Sequence, residues 1–171
     1  MICHLNIKFQ TLYLQNQNLA INESLTLWKG HLSIRQYLPL KASKLVIKTF
    51  KLCESRAEYV WCFLAYSYTG KNTVLQSSLI TPDTPKTAAV VLELLKLLFC
   101  HGHMLWIDNF FSSPELARKL KIEHSADCVG TLKLNRKNVP KEVKDKKLEK
   151  GEIIPRHSGP LTVLKWRDKE M

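Results

Sequence analysis

The spacing of the apolar residues changes from alternating to helical near residue 84, and this change restricts the folds open to the chain. Residues 20–28 alternate from Ile21 onward, with polar side chains on one face and Ile21, Glu23, Leu25 and Leu27 on the other, which predicts a β-strand. Residues 44–53 and 59–68 are rich in β-branched and aromatic residues and predict two further strands. Short connections join the three runs, so we expect them to pair antiparallel.

Beyond Thr84 the chain alternates between helices and short strands. Thr84 and Pro85 predict the N-cap and first position of a helix of about four turns that ends at Gly102. The apolar run 103–108 predicts a parallel strand buried on both faces. The sequence Ser-Ser-Pro-Glu at 112–115 then starts a second helix, and a strand follows over 126–134. We expect a short helix at 141–147 and a last strand at 161–166.

The order βββαβαβ predicts an α/β protein with a mixed sheet, which is the layout of a ribonuclease-H-like fold. The fold is expected to be incomplete at its C-terminus. We divide the chain into an N-terminal extension (1–14), a partial core (15–134) and a basic segment (135–171). In such sheets, ligands bind at the carboxyl ends of the central strands.

Length and composition exclude several classes of protein. The chain has 171 residues, of which 45% are hydrophobic, enough for one core and too many for a disordered chain. No apolar stretch is long enough to span a membrane, and the first residues do not resemble a secretion signal. The five cysteines form no C-x-x-C pair, which favours reduced thiols. Cys100, His101 and His103 lack a second ligand pair at a suitable spacing, so we expect no zinc in this chain.

The net charge of +11 is concentrated in two segments. Residues 28–56 and 131–171 each carry an excess of six positive charges, and the segment between them is nearly neutral. Such segments predict a polyanionic partner, most plausibly nucleic acid; the alternative is a solvated, lysine-blunted sheet edge that binds nothing specific. The candidate DNA-contacting residues are Lys29, Arg35, Lys41, Lys44, Lys48, Arg136 and Lys137.

Asp108 ends the predicted strand 103–108 and precedes a capped helix. A carboxylate in this place is a candidate ligand for a metal ion, although it could equally cap an ordinary turn. Two-metal phosphoryl transfer needs several oxygen ligands, and a partner should come from the first strand. The inward-facing candidate there is Asn22, a neutral amide.

Several segments resemble, in the same order, those of one protein family: 22–30 (NESLTLWKG), 34–41 (IRQYLPLK), 107–116 (IDNFFSSPEL), 129–131 (VGT), 135–137 (NRK), Pro140, 156–160 (RHSGP) and 165–169 (KWRDK). The chain resembles the piggyBac-type DNA transposases and the domesticated proteins derived from them. The resemblance extends over about residues 15–171.

The resemblance implies a cut-and-paste transposase with a ribonuclease-H-like core and three aspartates that hold Mg²⁺. It also implies a possible homo-oligomer, and DNA partners in the form of transposon ends and TTAA targets. We expect a nuclear location, with the cytoplasm as the alternative. The second aspartate of the family falls on Asp108 and the first on Asn22, whereas the third lies beyond residue 171. The motif of three aspartates is therefore degenerate in this sequence.

This departure predicts a transposase remnant that binds DNA without cleaving it. An amide offers one neutral oxygen where a divalent cation prefers an anionic ligand, so Asp108 alone is expected to form an incomplete metal site that does not bind Mg²⁺ productively. Glu23 should not substitute, because neighbouring residues of a strand face opposite sides of the sheet. The alternatives are an active transposase or nuclease subunit completed by another chain, and a vestigial interaction protein.

Overall fold

A six-stranded mixed sheet forms the centre of the protein in the computed structural model, which describes residues 2–32, 34–39, 44–65 and 80–168. Its strands are β1 (Asn18–Leu27), β2 (Arg35–Tyr37), β3 (Leu45–Glu54), β4 (Val60–Ala65), β5 (Met104–Ile107) and β6 (Asp127–Gly130). The helices are α1 (Ile2–Leu12), α2 (Lys86–Leu95), α3 (Pro114–His124) and α4 (Lys141–Asp145). Strands β7 (Ile153–Ser158) and β8 (Leu161–Trp166) form a two-stranded hairpin.

Strand β1 is central and joins the antiparallel and parallel parts of the sheet. The strand order is β2-β3-β1-β5-β6, and β4 pairs with the remaining length of β3. Strands β1, β3 and β4 are antiparallel neighbours, whereas β1, β5 and β6 are parallel. The described core therefore contains the predicted order βββαβαβ, and the mixed α/β sheet is confirmed.

One face of this sheet carries the apolar core. Side chains of α2 and α3 form a single cluster with Leu19, Phe50 and Leu105, which are at most 1% exposed. The opposite face is partly open, because Trp106 is 47% exposed and Val129 is 40% exposed. The prediction that residues 103–108 are buried on both faces is therefore wrong, since both crossover helices pack into the same cluster.

Helix α1 protects the free edge of β4. The side-chain amide of Asn6 donates to the carbonyl of Phe63 at 2.9 Å and accepts from its N–H at 3.0 Å. The Tyr59 hydroxyl donates to the carbonyl of Phe9 at 3.0 Å. Asn6 thus bonds to the edge strand as a neighbouring strand would, and an exposed strand edge is a site of aggregation.

The helix starts were predicted with mixed success. Ser113 caps α3, because its hydroxyl accepts the N–H of Leu116 at 3.2 Å, and Pro114 follows at the first helical position, as expected. The prediction for Thr84 is wrong. Its hydroxyl accepts the N–H of Thr81 at 3.0 Å instead, and Pro85 occupies the N-cap position of α2. Helix α2 also ends early, at Leu95.

Three elements of the structure were not predicted from the sequence: helix α1, the short edge strand β2 and the first hairpin strand β7. Within the described ranges, no helix is both long enough and apolar enough to cross a lipid bilayer.

Candidate functional site

Asn22 and Asp108 lie at the same level of the sheet. The parallel pairing of β1 with β5 runs from Asn18 opposite Met104 to Ala20 opposite Trp106. Asn22 and Asp108 each follow the last of these pairs by two residues, so they share the open face. Both are exposed, and the expectation that Asn22 faces inward is wrong, because Leu19 and Ile21 supply the buried side of β1.

Asp108 begins a tight turn, which we call the Asp108 loop (residues 108–113). Its Oδ1 atom accepts the N–H of Phe110 at 2.9 Å, and its carbonyl accepts the N–H of Ser112 at 3.1 Å. This is the turn role that an Asp side chain commonly plays. One carboxylate oxygen is therefore already engaged, while the side chain as a whole stays accessible to solvent.

Lys51 is the neighbour of Asn22 that sequence reasoning missed. It lies directly opposite Asn22 in the antiparallel pairing of β1 with β3. Directly paired residues project on the same side of a sheet, so this half-buried lysine shares the face of Asn22 and Asp108. The alternating pattern could have revealed Lys51 only if the register of the two strands had been known.

Glu23 faces the other side of the sheet, as the alternation predicts. It lies opposite Phe50, whose side chain is 1% exposed in the core. Its carboxylate forms an ion pair with Lys48 at 2.5 Å. Glu23 thus faces the side of the sheet opposite to Asn22 and is already paired with a cation, so it is unsuited to replace the missing carboxylate beside Asn22.

These donors do not fit a pair of magnesium ions. On the open face Asp108 supplies one carboxylate, Asn22 supplies a neutral amide, and Lys51 adds a positive charge opposite Asn22. Mg²⁺ prefers anionic oxygen ligands in octahedral geometry. In the described part of the chain, no group of three or more His, Cys, Asp or Glu side chains could hold a metal ion.

The two basic segments of the sequence meet at the Asp108 loop. The ammonium of Lys48, from the first segment, lies 4.9 Å from the centre of the Phe110 ring. The guanidinium of Arg136, from the second segment, donates to the carbonyls of Asn109 (3.1 Å) and Phe110. We call Lys48, Arg136 and the exposed Lys137 the basic cluster. The loop that carries Asp108 is therefore flanked by cations that are distant in sequence, and the charge of one of them, Lys48, is shared with Glu23.

The remaining predicted DNA contacts are more scattered. Lys29 and Lys44 are exposed near the end of β1, where the N–H of Trp28 donates to the carbonyl of Leu45 at 3.0 Å. Arg35 is half-buried and donates to the carbonyl of Gly30 at 2.9 Å, so it also stabilises a turn. Lys41 lies outside the described residues.

The cysteines are free thiols, and some of them are unsuited to metal binding. Burial raises the pKa of Cys62 and of Cys128 to about 12. Only the thiolate is a strong ligand or nucleophile, and it is rare at neutral pH when the pKa is this high. These two side chains act as apolar packing groups.

A mixed sheet with a central β1, crossover helices and an acidic position after β5 defines the core of a ribonuclease-H-like nuclease fold. The chain is similar to the piggyBac transposase in a cryo-EM structure of its synaptic complex with hairpin DNA, with a TM-score of 0.84 and 27% sequence identity. The match covers 96% of this chain and 33% of that one, so the chain spans about a third of the length of that transposase.

A family model described as "Transposase IS4", one of the DDE transposase models, matches residues 1–171. The chain belongs to this family, in its piggyBac-type branch. The resemblance inferred from the sequence motifs is thereby confirmed.

Proposed function

We propose that the chain binds the phosphate backbone of DNA through the surface around the Asp108 loop and does not cleave DNA by itself. The observation that carries the proposal is the basic cluster, in which two sequence segments with an excess of positive charge converge beside Asp108. The similar piggyBac transposase was solved in complex with hairpin DNA, which supports DNA as the polyanion. A nuclear location is part of the same proposal.

The geometry favours contacts with phosphates over readout of bases. Lysine acts as a point charge toward phosphate, and Arg136 is bonded to neutral backbone carbonyls that leave its positive charge uncompensated. The basic cluster lies on a loop and at a strand, and the helix nearest to it in sequence, α4, spans only five residues. We therefore expect affinity that depends strongly on salt and weakly on sequence.

The proposed lack of cleavage rests on the donors of the open face. Asn22 replaces the acidic ligand of the family, and Lys51, paired with Asn22, adds a positive charge to the same face. Within the described residues, Asp108 is the carboxylate at this place, and Glu23 lies on the opposite face. Magnesium would supply activation of the attacking and departing oxygens in the family reaction, but these residues provide no adequate set of ligands for it.

Duplex binding measured as a function of salt tests the first half of the proposal. About six phosphate contacts predict a slope near −5 in a plot of log affinity against log salt concentration. The variant Arg136→Gln/Lys137→Gln should make this slope less steep by about 1.8, because two contacts are lost. The control Lys86→Gln removes an exposed charge from α2, outside the basic segments, and should leave the slope unchanged. Absence of duplex binding by the wild type at low salt would overturn the proposal.

Nicking of a transposon-end duplex in Mg²⁺ tests the second half. We expect no nicking by the wild type. Nicking that disappears in Asp108→Ala would instead identify the chain as an active transposase subunit, the alternative left open by the sequence.

A further inference from the structure

A groove of about 410 Å³ separates the start of α3 from the β7–β8 hairpin. Pro114 and Arg118 of α3 line one wall, and Arg156 and His157 of β7 line the other. Leu161 and Val163 of β8 add apolar surface. Glu115 also lines the groove, so the groove is a concave surface with an arginine on each wall and one carboxylate, outside the residues that the sequence singled out for DNA contact.

The two arginines differ in how their charge is balanced. Arg118 is exposed, and its Nη2 atom donates to the hydroxyl of Ser158 at 3.1 Å, a neutral partner that leaves the positive charge intact. Arg156 forms an ion pair with Glu142, a carboxylate that is itself 66% exposed. Exposed ion pairs are weak and easily exchanged, so an incoming anion can compete for Arg156.

The groove continues the surface of the Asp108 loop. Pro114, at its edge, is the residue that follows the loop. Asn138 also lines the groove and lies two residues after Arg136, which holds the loop through the carbonyls of Asn109 and Phe110. The groove therefore adjoins the basic cluster, and a nucleic-acid strand that contacts the cluster passes next to it.

We propose that this groove is a second phosphate-binding site, which holds the backbone of the same DNA beyond the Asp108 loop through Arg118 and Arg156. The inference rests on the proposed DNA-binding function and adds to it a site and two residues. An arginine on each side of an apolar floor suits a sugar–phosphate backbone, whose phosphates pair with arginine while its sugars contact Leu161 and Val163.

The test compares duplex binding by the whole chain and by Arg118→Gln/Arg156→Gln across a range of salt concentrations. Loss of two contacts should make the log–log slope less steep by about 1.8, and should weaken binding roughly 60-fold at about 0.1 M salt. The matched control Lys119→Gln/Lys121→Gln removes two charges from the same helix at residues that do not line the groove, and should retain the wild-type slope.

A conservative variant separates charge from structure. Arg118→Lys/Arg156→Lys keeps both charges, so its log–log slope should be close to that of the wild type even though the hydrogen bond to Ser158 changes its geometry. If this variant and the glutamine variant show the same reduced slope, the arginines act by supporting the hairpin, and the proposed site is wrong.

The outcomes also separate this inference from the proposed function. Absence of duplex binding by the wild type would overturn both the proposed DNA-binding function and the groove site. Wild-type binding with an unchanged slope in Arg118→Gln/Arg156→Gln would overturn the groove site alone. A polyglutamate peptide that binds the wild type but not this variant, while the duplex slope stays constant, would also overturn the DNA assignment and make an acidic protein segment the occupant.

Discussion

Replacing Asn22 by Asp places a second carboxylate beside Asp108, and Lys51 then controls how well this pair binds a divalent cation. Adjacent strands lie about 4.8 Å apart, and β1 lies between β3 and β5, so an ion between positions 22 and 108 would lie roughly 7 Å from the Lys51 position. At that distance the repulsion between charges of +2 and +1 in water is about 1.2 kcal/mol. Salt screening roughly halves this energy, so removal of Lys51 should strengthen binding by about threefold.

The assay is titration with Mn²⁺ at fixed ionic strength, with the free ion followed by electron paramagnetic resonance. We expect weak binding to Asn22→Asp and about threefold tighter binding to Asn22→Asp/Lys51→Met. Lys51→Met alone should bind little Mn²⁺, because Asp108 remains a single carboxylate on this face. Neither variant should nick DNA, since two-metal cleavage needs further anionic ligands.

A matched control distinguishes the local effect of Lys51 from the overall charge. Lys44 is exposed immediately before β3 and far along the strand from the residue opposite Asn22. Asn22→Asp/Lys44→Met should therefore bind Mn²⁺ as Asn22→Asp does. Equal gains from the two lysine substitutions, or no gain from Lys51→Met, would refute the reasoning from the sheet register.

Two further predictions concern stability. A Cβ atom at Gly130 would lie 2.2 Å from the carbonyl oxygen of Ile107, so Gly130→Ala should lower the free energy of unfolding in urea by about 1–3 kcal/mol, whereas the exposed neighbour Thr131→Ala should change it little. Burial lowers the pKa of His124, which stacks on Phe99 with ring centres 3.8 Å apart. The unfolded chain therefore takes up this proton at a higher pH than the native protein, and stability should fall as the pH drops below about 6.5. His124→Phe keeps the stacking and should lose this part of the pH dependence; an identical fall in both proteins would contradict the assignment.

Local patterns were sufficient to predict the order of the core elements. Alternation identified β1, and the serine–proline pair at 113–114 identified the start of α3, because both signals lie within a few consecutive residues. Strand β2 has only three residues, too few for a periodicity to be recognised. Helix α1 contains no fully buried residue and depends on its contacts with β4, so its sequence carries no clear apolar stripe.

For the candidate site, local patterns predicted some features, whereas the others depend on contacts between residues that are distant in sequence. The opposite orientation of Asn22 and Glu23 follows from the two-residue period of any strand. Which of the two faces the core depends on where the helices pack, and the expectation for Asn22 was wrong on this point. The position of Lys51 requires the strand register, and the approach of Lys48 and Arg136 to Phe110 joins residues far apart in the chain.

The carbonyls that hold Arg136 have a consequence for the kinetics and strength of association. A long side chain usually loses rotational freedom when it binds a ligand, and this loss of conformational entropy weakens the complex. Here the backbone of Asn109 and Phe110 immobilises the guanidinium before any encounter, yet neutral oxygens leave its full charge in place. The entropy is lost once, during folding, so the cation is already in position when a partner arrives.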